Sequence, residues 1–258
     1  MGLSQHHSFR RGTRNALFPA LFLLSLVSCT YYYSPASRET AQVRVNETIA
    51  PDTAIEHIIA PYKEALDAEM NDVVAVFGMD MRKAKPESQL GNFVCDAVLA
   101  QGEKIYDGPV DFAVYNYGGI RIDNISAGPV TRGKIFELLP FENFGAIVTL
   151  DGSATAQLFR KIIAEDGWPV GGVTLTIHSD YTFEAMIGNT PFDSTRSYHI
   201  IMNDYMANGG DDLSFIPAEN VVFLKTTIRD MVLDYLRFET EQGRTIQAKV
   251  EGRITYAE

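Results

Sequence analysis

The chain has 258 residues, 46% of them hydrophobic, with 33 acidic against 22 basic side chains and a formal charge of −11. That length and apolar share suffice for one hydrophobic core. A chain this acidic repels a phosphate backbone, so nucleic acid is excluded as its main partner. Residues 1–28 read as a leader rather than as part of the fold. Arg10, Arg11 and Arg14 form a basic head, and Ala16 to Val27 form an apolar stretch too short to span as an ordinary transmembrane helix.

The leader ends in Leu26-Val27-Ser28-Cys29, small residues before a cysteine that look like a bacterial lipobox. This implies diacylglycerol transfer to Cys29 and cleavage before it. More than one acyl chain on one residue then gives stable membrane anchoring. A plain secretory signal with a chance cysteine is the alternative. Losing residues 1–28 removes three arginines and no acid, which takes the charge from −11 to −14. Residues 29–50 read as the lipidated cysteine and a tether, with Tyr31-Tyr32-Tyr33 and Pro35, and residues 51–258 as the folded domain. Cys95 is then the one remaining cysteine, on the apolar side of a predicted helix, so it reads as a buried thiol.

Within the domain, Thr53-x-x-Glu56 is a capping box, and Ile55, Ile58, Ile59, Tyr62, Leu66 and Met70 follow at helical spacing. Pro61 should kink or split that helix. Val73 to Phe77 reads as a short buried strand. A second helix opens near Glu87, with Leu90, Phe93, Val94, Ala97 and Val98 on one face. Val110 to Tyr115 reads as a strand, and Thr131 caps a short helix that runs to Leu138 before Pro140. Ala146 to Leu150 is a strand closed by Asp151-Gly152, and Leu158, Phe159, Ile162 and Ile163 mark a helix. Val173 to Ile177, Thr182 to Met186 and Tyr198 to Met202 are strands. Ile228, Met231, Val232, Tyr235 and Leu236 face one side of the last helix, and Thr245 to Tyr256 gives one or two closing strands. Strands that follow one another directly among interleaved helices predict an α/β fold with mixed sheets.

Three segments carry the chemistry: Asn116-Tyr-Gly-Gly-Ile-Arg121, Pro140-Phe-Glu-Asn143 and Tyr205-Met-Ala-Asn-Gly-Gly-Asp211. Gly118-Gly119 lets backbone approach a ligand, and Arg121 offers a rigid fork of donors to phosphate. Phe141 and Tyr205 present flat apolar faces, and Asp211 is an acceptor. The loops that hold these residues are expected to follow strands, where α/β folds place their ligands. Taken singly, turn chemistry and core packing account for each segment.

Their order resembles the C-terminal, substrate-binding domain of the 5′-nucleotidase family. Glu87-Ser-Gln-Leu-Gly-Asn-Phe-Val-Cys-Asp-Ala97 and the tail from Gly243 to Gly252-Arg253-Ile254 agree with it. The resemblance implies a layered α/β sandwich and a site residue by residue. Arg121 would hold phosphate, and Asn116 the same end of the ligand or its own loop. Phe141 and Tyr205 would sandwich a base, and Asn143 would touch its edge. Asp211 would accept from ribose hydroxyls, and Gly172 would leave room beside the base. Tyr205 stands where the family usually has Phe, Ala84 where it has Arg, Glu142 where it often has Gly, and Tyr117 where it has the first of three glycines.

In complete family members a separate metallophosphatase domain performs the hydrolysis with two metal ions. After the leader this chain has only His57, His178 and His199, none in a metal-ligand motif. No cofactor is therefore expected here, and the divalent metals belong to a partner. The implied role is the nucleotide-binding half of a split 5′-nucleotidase or nucleotide-sugar hydrolase, lipid-anchored in the bacterial envelope and completed by a metallophosphatase chain. The alternatives are a non-catalytic nucleoside- or nucleotide-binding lipoprotein, or a scaffold.

Overall fold

The computed structural model describes residues 40–257, apart from 43, 47 and 48. The leader 1–28, Cys29 and most of the tether 29–50 lie outside the described residues. Residues 53–258 form a unit of their own. It opens with helix α1 (Thr53–Met70), strands β1 (Val73–Phe77) and β2 (Met81–Arg82), and helix α2 (Gln89–Ile105). Strands β3 (Phe112–Val114), β4 (Asn124–Ile125) and β5 (Gly128–Thr131) lead to helix α3 (Arg132–Leu138). Strand β6 (Phe144–Asp151) and helix α4 (Gly152–Ala164) precede β7 (Val170–Gly171), β8 (Val173–Ile177), β9 (Phe183–Ile187) and β10 (Thr190–Pro191). Strand β11 (Ser197–Asn203), the single turn α5 (Asp204–Ala207), β12 (Val221–Thr227), helix α6 (Ile228–Glu241) and β13 (Ile254–Tyr256) complete it.

The central sheet has the order β12-β6-β11-β3-β7. β6 runs antiparallel to β12 and β11, whereas β11 and β3 are parallel, so the sheet is mixed. Alternation along β6 and β11 sends side chains to opposite faces. Ile147 and Ile201 join Phe93, Val94, Met231 and Leu236 under α2 and α6. Val148, Ile200 and Met202 join Phe159 and Leu175 under α4 and the second sheet, β10-β9-β8-β13. The result is a layered α/β sandwich with mixed sheets: the mixing was expected from the interleaved elements, and the layering was implied by the resemblance.

Local signals explain most of the boundaries. Ser88, Thr131 and Asp151 cap α2, α3 and α4 through their side-chain oxygens. Gly152 allows close approach: a Cβ there would lie 2.2 Å from the Ser194 carbonyl oxygen. Cys95 is fully buried, and burial pushes its thiol pKa up.

Three expectations need correction. Pro61 does not split α1, which runs unbroken from Thr53 to Met70. The helix buries no residue, so water can serve the carbonyl that proline leaves free. Its apolar stripe is exposed, with Ile58, Ile59, Tyr62 and Leu66 each more than half accessible. Strand β1 is half-buried: Ala75 and Phe77 are buried, Val74 packs partly against the core, and Val73 and Val76 are exposed. Strand β12 is absent from the sequence-based elements: it is an edge strand that buries Leu224 alone and carries Lys225, so its pattern is weak.

Candidate functional site

Parallel pairing of β3 with β11, and antiparallel pairing of β11 with β6, sets three chain segments at one end of the central sheet. Asn116 follows β3 and Tyr205 follows β11. The Phe141–Asn143 loop precedes β6, because that strand runs the other way. The expectation that every site loop follows a strand therefore fails for this one, though antiparallel pairing still delivers it to the same end.

These loops enclose a cleft of about 320 Å³ lined by Asn116, Gly118, Gly119, Phe141, Asn143, Tyr205 and Asp211. Seven of the nine residues singled out by sequence thus meet in one place. Phe141 and Tyr205 are each 47% exposed, an unusual state for two aromatic rings beside one cavity. Gly119 has no room for a side chain: a Cβ would lie 2.5 Å from the Tyr115 ring. At Gly118, which is exposed, a Cβ would meet only Asn116 Nδ2, at 3.9 Å, so the space beside this lining residue is open.

Asp211 is the one carboxylate lining the cleft. It sits at φ 52°, ψ 40°, a left-handed conformation that costs a non-glycine residue energy and needs support. Asn116 Nδ2 donates to its Oδ2 at 2.8 Å, and the Tyr205 hydroxyl donates to its Oδ1 at 3.1 Å. Behind them stands Asn203, fully buried, whose Nδ2 donates to Asn116 Oδ1 at 3.0 Å. Asn203 Oδ1 accepts from Met206 N at 2.8 Å and so caps α5. This buried amide was not singled out by sequence; its position as a cap just before Tyr205 was the available signal.

Arg121 does not line the cleft. Its guanidinium lies 5.7 Å from the Phe141 ring centroid, and Nη1 donates to the Gly118 carbonyl at 3.2 Å. It is exposed at the rim, beside two lining residues. Gly172 is not brought to the cleft either. With φ 78° it opens a separate depression beside Arg253 and Glu251.

The departures at Ala84, Tyr117 and Glu142 have structural accounts. Lys83 Nζ lies 3.9 Å, and Lys85 Nζ 5.0 Å, from the Tyr117 ring centroid, so the ring gathers two ammonium groups. Lys83 also donates to the Ile120 carbonyl at 2.7 Å. Burial lowers its pKa, Asp123 opposes this, and Arg121 and Lys85 add to the lowering. Glu142 turns away, 85% exposed, with Oε1 3.8 Å from Arg229 Nη2. Arg229 itself is buried under the loop and donates to the Leu139 and Pro140 carbonyls at 3.2 and 3.3 Å.

Lys83 should therefore be acylated by an amine-directed reagent at a lower pH than an ordinary lysine, because burial leaves more of it uncharged. AMP should protect it and adenosine should not, if this cationic lip meets a phosphate. Peptide mass spectrometry of the labelled protein reads both; equal protection by the two ligands would separate the lip from phosphate binding.

A family model described as the 5′-nucleotidase C-terminal domain matches residues 68–218. The chain is 24% identical over 235 residues to a cell wall protein of Listeria monocytogenes, covering 81% of this chain and 30% of that one. It is also 24% identical over 245 residues to the 5′-nucleotidase of Rattus norvegicus, covering 83% and 42%. Among solved structures, the 5′-nucleotidase precursor of Thermus thermophilus superposes with a TM-score of 0.66 at 23% identity, over 80% of this chain and 44% of that one. The chain thus spans less than half the length of these relatives. The family model covers more than half of the chain and includes every loop of the cleft, and the chain belongs to the 5′-nucleotidase family through its C-terminal domain.

Proposed function

We propose that the cleft binds a nucleotide or nucleoside, and that the chain is the substrate-binding half of a split 5′-nucleotidase or nucleotide-sugar hydrolase. The observation that carries this is the meeting of two half-exposed rings, Phe141 and Tyr205, with a supported carboxylate, Asp211, in one cleft. Flat apolar faces suit a base, and an acceptor-only carboxylate suits sugar hydroxyls. Arg121, with Lys83 and Lys85 beside Tyr117, gives the same edge of the cleft a positive side for phosphate, although the whole chain is acidic.

Among the described residues no group of three or more His, Cys, Asp or Glu side chains is placed to hold a metal ion. A separate metallophosphatase chain would supply the metals, activate water and receive the phosphate end of the ligand presented by this one. The pair would act in nucleotide catabolism at the bacterial cell envelope, with this chain anchored through lipidated Cys29. Similarity to a bacterial cell wall protein is in keeping with that location. A second reading, a binding lipoprotein without any reaction, draws on a cleft whose lining carries no charged group besides Asp211.

Calorimetric titration with AMP, adenosine and UDP-glucose in the absence of metal tests the binding. Tyr205→Ala should weaken all ligands by about tenfold to a hundredfold, the usual worth of one stacking ring. Arg121→Ala should weaken only those with phosphate. No heat with any ligand would remove the nucleotide reading. Hydrolysis appearing on addition of a metallophosphatase that lacks a C-terminal domain would select the split enzyme over the binding lipoprotein.

A further inference from the structure

We propose that the Tyr205 hydroxyl is a specificity-determining group, which presets the Asp211 carboxylate for a ligand carrying a vicinal diol. The inference rests on the nucleotide reading of the cleft and adds what selects the sugar. A phenylalanine at this position would supply the same stacking face, so the hydroxyl needs an account of its own.

Tyr205 lies in α5, and Asp211 six residues later in the turn Gly210–Asp212. Two hydrogen bonds join them in opposite directions. The hydroxyl donates to Asp211 Oδ1 at 3.1 Å and accepts from the Asp211 backbone N–H at 3.3 Å. The second bond steadies a backbone held at φ 52°. The turn also lies directly on the ring: a Cβ at Gly210 would come within 2.6 Å of it, so only glycine allows this approach. Ring and carboxylate therefore form one unit.

The acceptor count then decides what the unit can read. A carboxylate has about four lone-pair sites, two on each oxygen. The Tyr205 hydroxyl fills one on Oδ1, and Asn116 Nδ2 fills one on Oδ2 at 2.8 Å. Each oxygen keeps one free site, and the carboxylate cannot turn without breaking one of the two bonds. Two adjacent O–H donors match that pair of sites; a single hydroxyl leaves one site unused. Without the phenolic O–H, Oδ1 loses its fixed donor and Asp211 loses the partner of its N–H. The carboxylate is then free to rotate and to be hydrated, and ordering it again on binding costs affinity.

The test is calorimetric titration of wild type, Tyr205→Phe, Asp211→Asn and the double variant with adenosine and 2′,3′-dideoxyadenosine. Tyr205 is half-exposed, so Tyr205→Phe is expected to fold. Wild type should prefer adenosine by about tenfold or more, the scale of a hydrogen bond to a charged group. Tyr205→Phe should weaken adenosine more than dideoxyadenosine and cut the preference below about threefold. In the Asp211→Asn background the hydroxyl should make no further difference to the preference, as expected of two groups acting as one. Equal weakening of both ligands by Tyr205→Phe, or an unchanged preference, would overturn the proposal while leaving nucleoside binding intact. Equal wild-type affinity for the two ligands would do the same. Binding of neither ligand by wild type would remove this proposal together with the nucleotide reading.

Discussion

Glu87→Ala should destabilise the domain by about 3 kcal/mol and free its C-terminal tail. The carboxylate accepts four donors: Glu251 N at 2.8 Å, Gly252 N at 2.9 Å, Arg253 N at 2.8 Å and Asn92 Nδ2 at 2.6 Å. Three consecutive backbone N–H groups thus converge on one side chain at the start of α2. Hydrogen bonds to a charged group contribute roughly 1.5–3 kcal/mol each, but water can reach the partly exposed tail and replace some of them, so the sum is discounted to about 3 kcal/mol. For a domain of this size that is a fall in midpoint of about 6–12 °C. Glu87→Gln should lose most of the same stability, because its amide group turns donors toward donors. Hydrogen exchange should rise first in β13, which closes the second sheet by parallel pairing with β8. A midpoint shift below about 2 °C, or no local change in β13, would show that the tail is held by Arg253 instead. Arg253 itself makes a two-pronged pair with Asp96 at 2.6 and 2.8 Å.

That contact also explains one of the sequence signals. The segment from Glu87 to Ala97 resembles the family together with the tail, and the fold shows the two as halves of one joint. Leu90, Phe93, Val94, Ala97 and Val98 are buried, as their helical spacing required, while Glu87 reaches across to residues 251–253. Strands with strong alternation and helices with a capping residue were legible for this reason: each depends on nearby residues. Strand β12 was not, because an edge strand buries little. The exposure of α1 was not either, since spacing shows that a face is apolar and never what covers it. The site was legible as far as its loops, through turn residues and aromatic residues with no core pattern to join. Its supports were hidden. Arg229 holds the Phe141 loop from the first turn of α6, about ninety residues along the chain. Gly172 failed to join the cleft because a glycine motif states a backbone need and not its location.

Asn203→Asp should abolish most ligand binding while keeping most of the fold, and Asn203→Leu should damage both. Asn203 is fully buried between α5 and Asn116. Its amide has a set direction, with the oxygen accepting from Met206 N and the nitrogen donating to Asn116 Oδ1. That donation fixes the Asn116 amide in turn, so that its nitrogen faces Asp211 Oδ2. The Tyr115 phenol belongs to the same cluster: burial pushes its pKa up, and a hydrogen bond to Asn203 offsets part of the rise. A leucine leaves the Met206 N–H and Asn116 Oδ1 without partners at a cost of about 1–3 kcal/mol each, so a loss of about 3 kcal/mol is expected. At a pH high enough to ionise it, an aspartate keeps the cap on Met206 but offers Asn116 only acceptors. The Asn116 amide should then flip, turning its oxygen on the Asp211 carboxylate and pushing it from its place. The expected result for Asn203→Asp is at least about a tenfold loss of adenosine affinity, the scale of a lost hydrogen bond to a charged group, with a smaller fall in thermal midpoint than Asn203→Leu shows. If the two variants instead lose affinity in proportion to their loss of stability, Asn203 serves only the fold, and the aim of Asp211 is set by Asn116 and Tyr205 without it.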